Sequence, residues 1–260
     1  MKVKKHQIQS IRLNRTVVID AYLPAGFQPD ESLPILILND GQDTTALKLE
    51  NTFKAWHQNK KNLRFLLFAV HAAERIKEYG VAGVADFKGR GDLAGDYALF
   101  ITEECLPYLK KQYHFNLSHP LNAIAGFSLG GLSAMSIAWN NPEIFKRVGA
   151  FSASFWWRSK DLGKGYTDAD RIMHSVIRSS KLRPGMKFWF QAGTEDETSD
   201  RNHNGIIDAI EDTIDLIGEL IRLGYKPYYD VSYYEIKGGK HNQETWSKAF
   251  PVFLKWLFGA

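Results

Sequence analysis

"AIAGFSLGGLSAM", residues 123–135, reads as an apolar strand that runs straight into a helix through one serine with a glycine two residues to either side. Gly126, Ser128 and Gly130 make the pattern G-x-S-x-G. A strand-to-helix turn sharp enough to expose one side chain brings backbone close on both sides of it, so the flanking positions take glycine. An ordinary glycine turn is the bland alternative. Gly131 adds further room for close packing, and a strand before with a helix after is the context the motif needs. The helix N-terminus and the N–H of Leu129 would then face negative charge developing on a substrate oxygen. Ser128 is the candidate nucleophile.

Working outward, "LPILILND" (33–40), "LRFLLFAV" (63–70), "RVGAFSAS" (147–154) and "MKFWFQAG" (186–193) repeat the nearly all-apolar signature of the strand before Ser128. Such runs predict strands covered on both faces. Helical periodicity over 43–58, 96–112, 129–139, 169–179, 207–223 and 243–257 alternates with them, which predicts right-handed crossovers and a mostly parallel sheet between two helical layers. The class is α/β. An alternating N-terminus followed closely by "TVVIDAYLP" (16–24) predicts an antiparallel start. Two stretches break the alternation, 74–95 with its repeated glycines and 155–170 with its aromatics, and both follow a strand's C-terminal end, where open α/β sheets bind ligands.

The 260 residues suit one domain, 1–260, with an ordinary hydrophobic share of 44%. A net charge of +4, from 33 basic and 29 acidic side chains without a basic face, argues against nucleic acid. No apolar run approaches a membrane span. The single Cys105, in "EECLPY", excludes an intramolecular disulfide and reads as a packed helix residue. The N-terminus lacks the apolar core of a signal peptide, so the expectation is cytoplasmic, or periplasmic or secreted if a signal has been removed. Oligomeric state is open.

A serine needs a base to become nucleophilic at neutral pH. Of eight histidines, only His241 in "GGKHNQETW" follows the last strand and starts the last helix, where the chain order Ser…acid…His requires it. "LNDGQD" supplies the loop after an early strand, with the N–H of Gln42 as second oxyanion donor; a plain Asp-Gly turn is the competing reading. Phe155, Trp156 and Trp157, just past a strand end, are candidate walls of the substrate cleft, with aromatic packing under a loop as the alternative. Arg75 and Tyr79 are further candidates for that cleft.

At these residues the chain resembles the putative-esterase (esterase D) family of α/β-hydrolases, which includes enterobactin-type siderophore esterases and feruloyl and acetyl esterases. "VVIDAYLP", "LPILILNDGQD", "ERIKEYG", "FITEECLPYL", "AGFSLGGLSAM", "SASFWW" and "GGKHNQETW" look like family blocks in the family's order. The resemblance implies the α/β-hydrolase fold, Ser128 as nucleophile, His241 as base, and Gln42 with Leu129 as oxyanion hole. It places the acid on Asp196 in "FQAGTED", with Glu195 as the alternative. The reaction it implies is hydrolysis of a small-molecule, siderophore or carbohydrate ester without an organic cofactor. An acyltransferase would share every catalytic residue, and a silent carbohydrate-binding module would share the fold.

"DRNHNGIIDAIE", 200–211, matches the calcium-loop pattern D-x-[DN]-x-[DN]-G-x5-E. Asp200, Asn202 and Asn204 offer side-chain oxygens, Ile206 its carbonyl, Asp208 a carboxylate or a water bridge, and Glu211 a bidentate carboxylate, with Gly205 at the sharp turn. A strand precedes the loop in place of the entering helix, which predicts an isolated structural calcium site. A polar turn opening a helix is the plainer reading. Three carboxylates and two amides suit calcium-rich, non-cytoplasmic surroundings. A metal hydrolase does not fit, because H-E-x-x-H is missing.

Overall fold

A computed structural model describes residues 1–29 and 31–259. Eight strands form one sheet: β1 (Lys2–Ser10), β2 (Arg15–Leu23), β3 (Ile35–Asn39), β4 (Leu66–Val70), β5 (Ala123–Phe127), β6 (Arg147–Phe151), β7 (Lys187–Glu195) and β8 (Val231–Lys240). Their order is β1-β2-β4-β3-β5-β6-β7-β8. The first two strands and the β2–β4 pair are antiparallel, and every later pairing is parallel. This is the α/β-hydrolase architecture, with the antiparallel start where the short spacing of the first strands places it.

All five residues of β3, β4 and β5 are buried. Helices on both faces leave no side of these strands to water, so period-2 alternation is lost from their sequences. One face is covered by α1 (Leu49–Gln58) and α8 (Gln243–Phe258), whose Phe53, Trp246, Phe250, Phe253 and Phe258 pack on Leu36, Leu38 and Phe151. The other carries α2 (Arg75–Glu78), α3 (Ala94–Leu99), α4 (Leu106–Tyr113), α5 (Leu129–Asn140), α6 (Ile172–Arg178) and α7 (Asp208–Leu223). The outer strand β1 is largely exposed and carries Lys2, Lys4 and Lys5, charges that discourage pairing with another chain.

Three of the six helical predictions change form; the segment 169–179 opens as a 3-10 turn, Asp168–Asp170, and becomes α-helical only at Ile172, after an extended Arg171. The segment 43–58 begins as a 3-10 turn, Gly41–Asp43, and becomes α-helical only at Leu49, after a left-handed Lys48. The segment 96–112 is interrupted by a π-helical turn, Phe100–Cys105. Pro107 lacks the N–H that would bond the carbonyl four residues back, and the π turn sits directly ahead of it. Cys105 is buried in that turn, as its setting predicts, and burial pushes its thiol well above the ordinary range.

Candidate active site

Ser128 sits between β5 and α5 at φ 54, ψ −122, a region that costs a non-glycine residue about 1–3 kcal/mol. The surroundings hold it there. Its N–H donates to the carbonyl of Phe151 at 2.9 Å, and its carbonyl accepts from Ser154 at 3.1 Å and from Gly131 at 3.0 Å. The glycines are required by crowding. A Cβ on Gly126 would lie 2.3 Å from the Gly130 carbonyl oxygen, and one on Gly130 would lie 2.5 Å from the Asp40 carboxylate. Leu129 opens α5, so its N–H has no intrahelical acceptor.

The second donor loop follows β3. Asn39 is buried and donates to the Gly130 carbonyl at 2.7 Å, which ties this loop to the nucleophile's helix. Gly41 is needed because a Cβ there would lie 2.7 Å from the Ala69 carbonyl oxygen at the end of β4, with the His71 ring equally close. Among the described residues neither the Gln42 nor the Leu129 N–H is taken up by a turn or loop hydrogen bond.

Three candidate substrate residues take other places. Tyr79 is fully buried, and its hydroxyl accepts the N–H of Asp40 at 3.0 Å, bracing the Gln42 loop from beneath. Phe155 is buried edge-on to Phe190, and Trp157 is buried under Gly80 and Gly91, where a Cβ on Gly91 would lie 2.8 Å from the indole. These three do not wall the cleft. Arg75 grips the buried Asp40 through its Nε at 2.6 Å and reaches the Phe127 carbonyl at 3.5 Å. Burial raises the Asp40 pKa, and the Arg75 hydrogen bond opposes that rise. Of the aromatic trio, only Trp156 faces the cleft, with the Arg90 guanidinium 5.0 Å from its ring centre.

The cleft, about 350 Å³, gathers Ser128, Leu129, Trp156, Asp196 and His241 at the C-terminal ends of β5 to β8. The β7–β8 pairing brings the last two together. Its register shifts between Gly193 and Glu195, and a Cβ on Gly193 would lie 2.3 Å from the Gly239 carbonyl oxygen. That bulge turns the strand ends so that Glu195 points to solvent beside Lys240, while Asp196 is buried at 8% exposure. One Asp196 oxygen accepts the Gly193 N–H at 2.8 Å. The other has no hydrogen-bond partner of good geometry among the described residues. Burial raises the Asp196 pKa, against the lowering influences of the Gly193 N–H, the Ser152 hydroxyl and His241.

His241 precedes the cap of α8, where the Asn242 side chain accepts the Thr245 N–H at 2.9 Å. The residue is exposed overall, yet enough protein surrounds its imidazole that desolvation is the main influence, lowering its pKa. Asp196 raises it and Arg75 lowers it further. The Ser128 hydroxyl lies 3.4 Å from that of Ser154. The nucleophile and His241 share the cleft without a direct hydrogen bond among the described residues, a separation common before substrate binds.

Ser152, Ser154, Ile76, Arg90 and Glu197 also line the cleft and were not singled out from the sequence. The available signal was topological: β6 is the parallel neighbour of β5, so residues just past Phe151 must lie beside Ser128. Ser152, at φ 42, also accepts the Trp246 indole N–H at 3.0 Å.

Beyond β7, the loop 200–211 turns on hydrogen bonds from its own backbone to its own side chains. The Asp200 carboxylate accepts the N–H of Gly205 at 2.8 Å, Asn202 accepts from Asn204 at 3.2 Å, and Asn204 accepts from Ile206 at 2.8 Å, with Gly205 at φ 87. The amide nitrogens of Asn202 and Asn204 both donate to Glu211, at 2.7 and 2.6 Å. The Arg201 guanidinium lies 3.1 Å from Asp208 and 3.2 Å from Glu211. Among the described residues no group of three or more His, Cys, Asp or Glu gathers as metal donors.

The family model described as putative esterase matches residues 10–257. The Bacillus subtilis protein YbbA, described as uncharacterized, is 23% identical over 243 residues, 92% of this chain and 91% of its own. The Shigella flexneri enterobactin esterase, solved in the presence of enterobactin, superposes with a TM-score of 0.77 at 17% identity over 99% of this chain. This chain covers 58% of that one. A ferulic acid esterase superposes with a TM-score of 0.73 at 17% identity over 98% of this chain and 97% of its own. At such identities the likeness of structure shows the fold.

Proposed function

We propose that this chain, which belongs to the putative esterase family, cleaves a carboxylic ester of a small molecule, siderophore or carbohydrate through an acyl-enzyme on Ser128. The observation that carries the reading is the strained Ser128, displayed at the mouth of α5 in one cleft with His241 and Asp196. The Ser128 Oγ attacks the ester carbonyl carbon while His241 takes its proton. The resulting oxyanion accepts from the N–H groups of Leu129 and Gln42, whose fixed dipoles need no reorganisation as charge develops. Collapse breaks the bond to the alcohol oxygen, which leaves with the proton from His241. Water, deprotonated by His241, then attacks the acyl-enzyme and releases the acid. Asp196 holds the imidazole in the tautomer that can accept a proton and stabilises the imidazolium. A fluorophosphonate probe is expected to label the wild-type chain at Ser128, read as a mass shift on the peptide containing it. An unlabelled Ser128, or equal labelling of Ser128→Ala, would refute the assignment.

For the loop after β7 we propose a structural calcium ion held by Asp200, Asn202, Asn204, Ile206, Asp208 and Glu211. The left-handed Gly205 and the convergence of Asn202 and Asn204 on Glu211 support it. Turning each amide over would present its oxygen, and Arg201 would yield Asp208 and Glu211 to the ion. The ion would pin the loop beyond Asp196 to the start of α7 and take no part in the chemistry. With a Kd of about 0.1 mM, 1 mM calcium stabilises the fold by about 1.4 kcal/mol. The thermal midpoint should therefore rise by about 3 °C over EGTA, and identical midpoints would dismiss the site.

A further inference from the structure

The catalytic cleft lies at the C-terminal edge of the parallel strands. The opposite edge carries a larger hollow of about 870 Å³, within the size range of small-molecule sites. Its walls come from the points where strands begin: Leu33 ahead of β3, Arg64 ahead of β4, Leu121 ahead of β5, Arg147 and Lys187 as the first residues of β6 and β7, and Tyr229 ahead of β8. Because these strands are parallel, no residue of the hollow borders the Ser128 cleft.

The lining is one-sided in charge. Lys60, Lys61, Arg64, Arg147 and Lys187 contribute, and among the described residues no carboxylate does. Arg64 is paired with Glu31 at 2.5 Å, whereas among the described residues the other four are in no ion pair. Arg147 is half-buried, and its Nη1 donates only to the carbonyls of Lys146 and Gly185, at 3.0 and 3.1 Å. Burial lowers its pKa, with Asp230 and Tyr229 opposing from outside contact distance. A partly desolvated guanidinium in no ion pair among the described residues favours an anion beside it.

The remaining wall is aromatic and apolar. The Lys187 ammonium sits 3.9 Å above the Tyr229 ring centre, and Trp256 is half-buried, its ring stacked on that of Phe253 at 5.8 Å. Neighbouring Tyr228 holds the left-handed conformation, φ 63, while 97% exposed, so packing does not offset the strain of a bulky residue there.

We infer that this hollow binds a planar aromatic anion, its ring against Tyr229 and Trp256 and its phosphate or carboxylate on Arg147, Lys187 and Lys60. It is a second site, separate from ester cleavage. Calorimetric titration of the full chain with ADP, 2-naphthoate and inorganic pyrophosphate tests it. One of the two aromatic anions should bind with a Kd below about 0.1 mM and more tightly than pyrophosphate; whichever binds identifies the phosphate or carboxylate source. Lys187→Gln and Tyr229→Ala should each weaken that binding at least about fivefold without loss of esterase activity, and Ser128→Ala should bind as the wild type does. No binding of either aromatic anion at millimolar concentration, pyrophosphate matching both, unchanged binding in the two hollow variants, or loss of binding in Ser128→Ala would each overturn the inference.

Discussion

Replacing Ser128 with Ala is expected to lower kcat/KM for a short-chain p-nitrophenyl ester by at least about 10⁴-fold, and His241→Ala to do so by a similar factor. The two act on one event. Without His241 the hydroxyl keeps its proton and is a weak nucleophile, and without the hydroxyl the base has nothing to activate in the first step. The double variant should therefore fall no more than about threefold below the worse single variant, because losses within a unit that works together do not add. The remaining rate over water would come from the Leu129 and Gln42 N–H groups, which neither substitution removes. Both changes spare the fold: Ser128 is held by its backbone, through bonds to Phe151 and Ser154, and His241 lies ahead of the Asn242 cap. Full activity in Ser128→Ala, measured with a folded protein of unchanged thermal midpoint, would end the acyl-enzyme reading.

What the amino-acid sequence discloses depends on how far apart the causes of each feature lie. The nucleophile turn is written within 13 residues, and the crowding that demands Gly126 arises between β5 and α5 themselves, whereas Gly130 is demanded by the Asp40 carboxylate just past β3. The buried strands are equally local in origin. Whether an aromatic past a strand end faces a cleft or the core is decided at a distance: Trp157 is enclosed by Gly80 and Gly91, and Tyr79 is claimed by the backbone of Asp40. No spacing rule within "FWWRS" or "KEYG" carries that information. Ser152 joins the site through Trp246, 94 residues on. In the calcium pattern the regularity of the ligand positions hides Arg201, whose side chain folds back onto Asp208 and Glu211 only once α7 is in place.

The choice between Glu195 and Asp196 belongs to the same class, since one residue of register between β7 and β8 decides which carboxylate is turned into the cleft that His241 lines. Asp196→Asn is expected to lower kcat/KM by about 10³–10⁴-fold, whereas Glu195→Gln should stay within about threefold of the wild type, as befits an exposed partner of Lys240. Asparagine keeps the size of the side chain but offers no anion to the imidazolium and can hold the ring in the wrong tautomer. The pH profile separates this from mere structural damage. His241 must be neutral to take the Ser128 proton, so kcat/KM rises with pH through its pKa and then levels. Desolvation and Arg75 set that pKa below the ordinary imidazole value of about 6.5, so the wild-type plateau should extend to lower pH than a solvent-exposed histidine would allow. Asp196 is the group that opposes this lowering. Its removal should therefore move the inflection of the residual activity further toward acid, and Glu195→Gln should leave it in place. A Glu195→Gln variant with the larger loss and the shifted inflection would move the acid's role to Glu195, and with it the orientation of the strand end that the bulge at Gly193 imposes.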